Sequence, residues 1–185
     1  MKIDQFGLLR NIADNEIELM LAWRNEPTVR VNMYTRHEIS IEEHLAWWRS
    51  TAIRLDQRYF MYERLGTPLG IAAFTTIDIH NRNATWAFYA SPSAPKGTGS
   101  RMEFLMLEHA FTALELSKLY CEVLAINSSV VKLHRKFGFS IETTLKNQYI
   151  ANNSPVDIYR LSISADIWLE HRHAMYQKLL THLRV

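Results

Sequence analysis

The chain has 185 residues, of which 48% are hydrophobic and 22% charged, and its formal net charge is +2 at pH 7. This composition predicts a soluble globular protein with a single domain over residues 1–185, and the scattered basic residues exclude a nucleic-acid-binding face. Cys121 is the one cysteine, which excludes an internal disulfide framework, and the sequence has no membrane-length apolar run, signal-peptide pattern or zinc-ligand spacing.

The first 34 residues predict a strand, a helix and a loop. Residues 2–12 alternate apolar and polar side chains, which is typical of a half-buried strand. Asp14 is a candidate N-cap for a helix that ends at Pro27, because proline cannot continue a helix interior. An irregular loop to residue 34 should follow, rich in side chains that can contact a ligand. The buried side of the helix should consist of Ile17, Met20, Leu21 and Trp23.

A capping box marks the start of the second helix. Ser40 and Glu43 have the spacing at which each side chain satisfies a backbone N–H group of the other residue. Helical periodicity predicts that one face of this helix packs on the protein, and that His44 and Trp47 lie outside that face. The predicted packing face consists of Ile41, Leu45, Trp48 and Ala52.

Three strands follow the second helix. Residues 59–63 and 69–77 predict a hairpin around a turn at residues 65–68, and residues 84–90 form the next strand. The loop after this third strand leads into an apolar helical pattern over residues 102–116.

The loop between that strand and that helix has the composition of an anion-binding turn. It reads Lys96-Gly97-Thr98-Gly99-Ser100-Arg101, so glycines allow close backbone approach and two cations lie beside a helix N-terminus. The dinucleotide-binding pattern needs a third glycine where Met102 stands, and the Walker pattern is absent. Taken alone, the loop also fits an ordinary strand-to-helix turn.

The second half of the chain predicts a strand over residues 119–125 and a helix that begins at Asn127 and ends at Gly138. Residues 139–145 and 156–163 predict two further strands, joined by a turn at residues 152–155. The last predicted element is a helix over residues 165–183. Its candidate packing residues are Ile167, Trp168, Met175, Leu179 and Leu183.

The combination of the glycine loop, Asn127 and the run Leu133-His-Arg-Lys-Phe-Gly-Phe139 resembles the GNAT superfamily of acyl-coenzyme A-dependent N-acetyltransferases. In that family the loop reads Arg/Gln-x-x-Gly-x-Gly/Ala, and the second signature reads Leu-Tyr-Glu-Lys-x-Gly-Phe after an asparagine. Ala94 replaces the Arg/Gln here, which leaves more of the anion binding to backbone donors. His134 replaces the tyrosine that commonly protonates the leaving thiolate.

The resemblance implies a fold and a cosubstrate. The fold would be one α/β domain, with a mixed, mainly antiparallel twisted sheet, helices on both faces, and a neighbouring pair of strands, 84–90 and 119–125, that diverge at one end. Acetyl-CoA would be the donor, and no metal is implied. The implied acetyl-CoA-binding residues are Phe88, Tyr89, Ala90, Lys96, Gly97, Thr98, Gly99, Ser100, Arg101 and Asn127.

The N-terminal third resembles the branch of the family that acetylates nucleotide-linked amino sugars, through Trp23-Arg-Asn-Glu-Pro27, Asn32-Met-Tyr34 and Ile39–Trp47. Within that branch the likeness is to pseudaminic acid synthesis, where the acceptor is the 4-amino group of UDP-4-amino-4,6-dideoxy-N-acetyl-β-L-altrosamine. The implied sugar-nucleotide-binding residues are Arg24, Asn25, Met33, Tyr34, His44, Trp47 and Trp86.

Acetyl transfer to an amine needs a base for the amine and an acid for the departing sulfur. His134 is the candidate acid, and His44 and Glu122 are the candidate bases, because no carboxylate lies in residues 84–90. Alternatives remain open: His44 also fits an exposed helix histidine and Glu122 a solvent-facing strand position. Cys121 fits buried core better than a nucleophile.

Other residues also have purely structural alternatives. Asn127 fits a simple N-cap, and Met33, Tyr34 and Trp47 fit ordinary core positions.

Rival functions are acetylation of protein N-termini, acetylation of a polyamine, and non-catalytic acyl-CoA binding. A polyamine-binding enzyme would need an acidic pocket, whereas residues 23–47 include both acidic and basic side chains. We expect a cytoplasmic enzyme without nucleic-acid or membrane partners, and a homodimer is compatible with the sequence.

Overall fold

The computed structural model describes residues 1–181, and they form a seven-stranded sheet with the strand order β1-β2-β3-β4-β5-β7-β6. The strands are β1 (Leu8–Arg10), β2 (Arg58–Arg64), β3 (Thr67–Asp78), β4 (Asn83–Ala90), β5 (Lys118–Leu124), β6 (Ser140–Ala151) and β7 (Ser154–Ser164). The helices are α1 (Ile17–Asn25), α2 (Pro27–Arg30), α3 (Ile41–Ala52), α4 (Thr98–Glu108), α5 (Ser128–Lys136) and α6 (Ala165–Thr181).

Every neighbouring pair in the sheet is antiparallel except β4 and β5, which run parallel. Pairing between β4 and β5 covers only residues 83–85 and 118–120. Beyond that point β4 continues beside β3 to Ala90, and β5 continues beside β7 to Leu124. The two strands therefore diverge, which confirms the expected mixed sheet and its splayed pair.

Helices cover both faces of the sheet because the strands carry apolar side chains on each face. Phe60 and Tyr62 of β2 join the larger core, which also contains Met102 of α4 and Trp168 of α6. Met61 points to the opposite face and packs in a smaller core. The other buried residues of this smaller core are Met20, Trp23 and Ile71.

The N-terminal elements differ from the sequence prediction in several places. Residues 4–6 form a 3₁₀ turn before the three-residue strand β1. Asp14 is not the N-cap: it is the first residue of a 3₁₀ turn capped at Ala13, whose N–H is bonded by the Glu16 carboxylate at 2.9 Å. Instead of an irregular loop, Pro27 begins α2, because its fixed φ suits the first position of a helix.

The orientation of α3 also differs from the prediction. Ser40 caps the helix as expected, with Oγ accepting the Glu43 N–H at 3.2 Å. The buried side chains of α3 are His44 and Thr51, whereas Ala52 of the predicted packing face is exposed. The helix is therefore rotated about its axis so that a histidine points into the protein.

The later helices and strands begin or end at residues other than those predicted. The helix expected over residues 102–116 starts at Thr98 and continues as a π-helical turn over His109–Ala113. The predicted strands of residues 139–145 and 156–163 extend into a longer hairpin, with a two-residue turn at Asn152 and Asn153, both at positive φ. Trp168, Met175 and Leu179 of α6 are buried and Ile167 is exposed, while Leu183 lies outside the described residues.

Candidate active site

Two cavities lie on either side of β4 and share its end as a wall. The first, here called the β4–β5 cleft, occupies the gap between the diverging strands, is also lined by Asn127 and His134 of α5, and encloses about 290 Å³. The second, the α1–α3 cavity, is lined by residues of α1, α3, β3 and the loop between α2 and α3, and encloses about 310 Å³. Residues common to both linings are Met33, Ala87, Phe88 and Tyr89.

The glycine loop lies at the N-terminus of α4. Gly97 is the N-cap residue, with φ of 86°, so no side chain caps the first N–H groups of the helix. A Cβ at Gly99 would lie 3.3 Å from Leu133 Cδ2 and 3.4 Å from Phe88 Cε2. Glycine at this position therefore lets α4 approach both α5 and β4 closely, where the cleft begins.

The charged and hydroxyl side chains of this loop are divided between its outer and inner sides. Lys96 is exposed and Ser100 is half-buried. Thr98 is buried and its hydroxyl donates to the Pro95 carbonyl at 2.7 Å. Arg101 is also buried, and Nη2 lies 3.4 Å from the Lys96 carbonyl oxygen. The side chains of Thr98 and Arg101 therefore support the loop from beneath, rather than facing a ligand.

Asn127 has the capping role expected from its sequence position. Its Oδ1 accepts hydrogen bonds from the Val130 N–H at 3.4 Å and the Ser129 hydroxyl at 3.0 Å. The same residue lines the β4–β5 cleft, so capping and a position beside a ligand coexist.

His134 lines the β4–β5 cleft from α5 and forms a buried pair with Glu103 of α4. His134 Nδ1 lies 2.8 Å from Glu103 Oε1, and the two side chains are 2% and 0% exposed. Burial raises the pKa of Glu103, and the adjacent His134 opposes that rise. Because Glu103 occupies Nδ1, the ring nitrogen left for the cleft is Nε2.

Glu103 was not among the residues singled out from the sequence. It lies within the run from Arg101 to Glu108, all of which is buried, so helical periodicity gives no sign that its side chain is functional. A carboxylate within an otherwise apolar stretch of a buried helix is the one signal that could have identified it.

Arg24, His44 and Trp47 all line the α1–α3 cavity, as expected for an acceptor site. Arg24 Nη2 donates to the Thr35 carbonyl at 3.1 Å, whereas its Nη1 is buried without a hydrogen-bond partner. Burial lowers the pKa of Arg24, yet a guanidinium remains charged in proteins. The cavity therefore has a cation with unsatisfied hydrogen-bonding capacity.

His44 is 3% exposed and stacks on Trp47, with ring centroids 5.3 Å apart. Burial lowers the pKa of His44, and its Nε2 has no hydrogen-bond partner. A neutral imidazole with a free nitrogen can accept a proton, so the structure favours a functional position over the alternative of an exposed helix histidine.

Glu122 and Tyr34 meet at the rim of the β4–β5 cleft. Tyr34 donates its hydroxyl proton to Glu122 Oε2 at 2.9 Å, and Arg160 donates to Glu122 Oε1 at 2.8 Å. The Tyr34 carbonyl accepts a hydrogen bond from Tyr149 at 2.7 Å. Both carboxylate oxygens of Glu122 are thus engaged, which makes it a weaker candidate for the base than His44.

Two other residues predicted to bind substrate lie outside the α1–α3 cavity. Asn25 makes two hydrogen bonds with the backbone of Ile39, at 2.8 and 2.9 Å, and fastens the loop after α2. Trp86 is buried in the wall of the β4–β5 cleft, stacked on Phe88 at 5.2 Å. Strand alternation explains this position, because Trp86 and Phe88 share one face of β4.

Cys121 is buried on β5, and burial raises the pKa of its thiol well above the ordinary value. Its position agrees with the expectation of a core residue rather than a nucleophile. Within residues 1–181 no group of three or more His, Cys, Asp or Glu side chains is arranged to hold a metal ion. No helix in that same range has the length and apolar character needed to span a membrane.

The two cavities share the end of β4 as a wall, so they leave room for two ligands side by side along one strand. The family model described as "Acetyltransferase (GNAT) domain" matches residues 8–140, so the chain belongs to the GNAT acetyltransferase family. It is therefore an acetyl-CoA-dependent N-acetyltransferase, and the resemblance stated from its motifs is confirmed.

The curated proteins similar to this chain include acetyltransferases named PseH and spermidine N(1)-acetyltransferases. Acetyltransferase PseH of Campylobacter jejuni is 29% identical over 144 residues, which are 76% of this chain and 89% of that protein. Spermidine N(1)-acetyltransferase of Escherichia coli is 27% identical over 169 residues, which are 90% of this chain and 85% of that protein.

Solved structures show the same fold. The crystal structure of spermidine N-acetyltransferase from Vibrio cholerae, in complex with CoA and spermine, superposes with a TM-score of 0.82. Its sequence identity is 22%, and the alignment covers 88% of this chain and 97% of that one. The family model thus gives the type of reaction and the solved structures agree with the fold, whereas the two kinds of curated relative, at similar identities, do not distinguish between acceptor amines.

Proposed function

We propose that this enzyme transfers the acetyl group of acetyl-CoA to the 4-amino group of a UDP-linked amino-deoxy sugar. The proposed acceptor is UDP-4-amino-4,6-dideoxy-N-acetyl-β-L-altrosamine, as in pseudaminic acid biosynthesis, which serves flagellin glycosylation in the cytoplasm. The likeness to PseH supports this proposal, and the charge of the α1–α3 cavity separates it from polyamine acetylation.

In this proposal acetyl-CoA binds in the β4–β5 cleft. From Trp86 to Ala90 the edge of β4 that faces β5 is unpaired, so its backbone groups are available to the pantetheine arm. A backbone N–H between Phe88 and Ala90 polarises the thioester carbonyl. The pyrophosphate lies against the uncapped N-terminus of α4, beside Lys96, and Asn127 lies on the opposite side of the cleft.

The reaction follows from the two histidines on either side of β4. His44, as the neutral base, accepts a proton from the amine, whose nitrogen attacks the thioester carbon. The C–N bond forms, the C–S bond breaks, and the departing sulfur takes a proton from His134. Because both substrates are held against one strand, much of the rate acceleration comes from their proximity.

The observation that carries the choice of acceptor is the charge in the α1–α3 cavity. Arg24 contributes a cation whose Nη1 has no partner, and no carboxylate pairs with it within residues 1–181. Among the described residues, Glu43 is the one carboxylate of the cavity lining; its side chain is half exposed, with Oε2 3.0 Å from His37 Nε2. An oxygen of a diphosphate would satisfy the free Nη1 of Arg24, whereas a polyamine would have this one carboxylate for its several positive charges.

The aromatic wall of the cavity suits the rest of a nucleotide. Trp47 is 36% exposed and lies against His44 and Tyr59, so one of its faces remains open to a ligand. Met33 lies at the junction of the two cavities and provides a polarisable apolar contact. Stacking and apolar contacts of this kind recognise a planar base such as uracil.

Ligand-induced stabilisation tests this proposal. UDP at a concentration of about 100 times its Kd should stabilise the folded enzyme by about 2.7 kcal/mol and raise Tm by roughly 5 °C or more. Spermidine should leave Tm unchanged. In Arg24→Met, titration calorimetry should show UDP binding weakened roughly 30-fold, because a charge-assisted hydrogen bond contributes about 2 kcal/mol.

Arg30→Met is the matched control, since Arg30 is a neighbouring cation that lies outside the cavity lining and faces Glu38 at 3.9 Å. It should change the Kd for UDP by less than about threefold, the usual effect of a weak ion pair. Unchanged acetyl-CoA affinity in both variants shows that they are folded. Stabilisation by spermidine but not by UDP would contradict the proposed acceptor.

A further inference from the structure

Glu103 is the most deeply buried carboxylate that contacts an active-site residue. Its side chain is 0% exposed, Oε1 lies 2.8 Å from His134 Nδ1, and Oε2 is buried without a hydrogen-bond partner. A buried charge that lacks full hydrogen bonding is unfavourable, so a residue that served stability alone would be expected to be apolar here.

Aromatic side chains surround the His134–Glu103 pair, and few other titratable groups lie near it. Trp86 and Phe88 of β4 and Phe139 pack around the imidazole, with ring centroids 5.2 to 6.0 Å from it. The titratable group that faces Glu103 from β5 is Cys121, whose thiol is kept protonated by burial. On α5 itself, Arg135 and Lys136 are exposed.

At the rim of the cleft, the charge of Glu122 is already paired with Arg160. The charge nearest to the His134 ring is thus the carboxylate of Glu103.

We infer that Glu103 is a positioning residue for the acid His134: it orients the imidazole through Nδ1 and holds the negative charge that remains on the pair after Nε2 gives its proton to the CoA thiolate. This inference rests on the proposed function only through the role given to His134, because it does not depend on which amine is the acceptor.

Proton transfer to the CoA sulfur changes the charge of the His134–Glu103 pair. Before transfer, the pair has no net charge, with one proton on Nε2 and one between Nδ1 and Glu103. The Nε2–H bond breaks, the S–H bond of CoA forms, and the pair is left with a neutral Nδ1–H imidazole beside an ionised carboxylate. Without that carboxylate, a neutral His134 could donate its Nε2 proton only by becoming an imidazolate, which is far too basic to form.

Glu103→Gln tests the inference, because it keeps the shape of the side chain and removes its ability to take the charge. The turnover number should fall at least about tenfold, and the alkaline limb of its pH profile should move to lower pH by about 1 to 3 units. KM for acetyl-CoA should be unchanged. Glu108→Gln is the matched control on the same helix: Glu108 is a buried carboxylate that binds Trp168 and Arg172 away from the cleft. It should lower Tm and leave the pH profile in place.

A second measurement uses the wild-type protein without any acceptor. Nitrogen-15 NMR of histidine-labelled enzyme should show His134 with a proton on Nε2 at neutral pH, and this result would support the inference even if Glu103→Gln did not fold. An unprotonated Nε2 would overturn it. A Glu103→Gln enzyme with the wild-type pH profile would also overturn it, whatever its turnover number. If UDP-linked sugars proved not to be acceptors, the NMR result would still decide the role of Glu103.

Discussion

Replacing His134 with alanine is expected to lower the turnover number about a hundredfold, the usual scale for loss of a general acid. The side chain lines the β4–β5 cleft, and its Nδ1 is held by Glu103, so Nε2 is left to donate a proton in the proposed reaction. Binding constants for acetyl-CoA and the acceptor should change little, because the lost interaction belongs to the transition state. Steady-state kinetics across the pH range provides the measurement.

His134→Tyr provides the positive control for this prediction. A phenol retains its proton to higher pH than an imidazole, so this variant should recover much of the turnover and extend activity on the alkaline side. Arg135→Ala, at the exposed neighbouring position, should behave like the wild type. If His134→Ala turned over at the wild-type rate at every pH, the proton would have to come from another group or from water.

Replacing His44 with glutamine is expected to lower the turnover number by a similar factor of about 100 at pH 7, because glutamine cannot accept a proton. Burial lowers the pKa of His44, and a base is active in its unprotonated form. The wild-type acid limb should therefore lie below the ordinary imidazole value of about 6.5, and the enzyme should retain activity as the pH falls towards 6. A pH profile of kcat/KM measures this limb, and the glutamine variant should lack it.

Thr51→Val is the matched control for His44, since Thr51 is the other buried residue of α3 and lies outside the α1–α3 cavity. It should leave the turnover number and the acid limb unchanged. An acid limb above pH 7, or full activity in His44→Gln, would show that another group removes the amine proton.

The order of the main helices and strands could be predicted because it depends on local signals. Gly97 and Gly99 mark the start of α4, Asn127 marks the start of α5, and Gly138 ends it at a φ of 101°. Each of these positions needs its residue type because of a particular backbone geometry. The pairing of β4 with β5 was predicted from the resemblance to the family and not from the periodicity of the sequence.

The features that could not be predicted depend on tertiary packing. The rotation of α3 places His44 inside, since the cavity, rather than a continuous apolar stripe, determines what this helix buries. The partnership of Glu103 with His134 joins residues 31 positions apart on two helices. The extension of β6 past residue 145 was missed because its register shifts between Leu145 and Tyr149, so side-chain alternation is interrupted there.

The proposed function assigns one substrate to each of the two cavities. The β4–β5 cleft is built from the splayed strands and the glycine loop, which belong to the fold itself. The α1–α3 cavity is built from the N-terminal helices and the loop after α2, where Arg24, Trp47 and Met33 lie. In the proposed function the N-terminal third of the chain therefore selects the acceptor, and Arg24 is the residue on which the proposal depends most.

The most direct test of the proposed acceptor is acetyl transfer from acetyl-CoA to a panel of amines, followed by release of free CoA thiol and by mass spectrometry of the product. The panel should contain UDP-4-amino sugars of different stereochemistry, spermidine, and peptides with free N-termini. The account predicts that kcat/KM for a UDP-4-amino sugar exceeds that for spermidine by at least a hundredfold, with one acetyl group added at the 4-amino nitrogen. Efficient acetylation of spermidine without turnover of any UDP-linked sugar would contradict it.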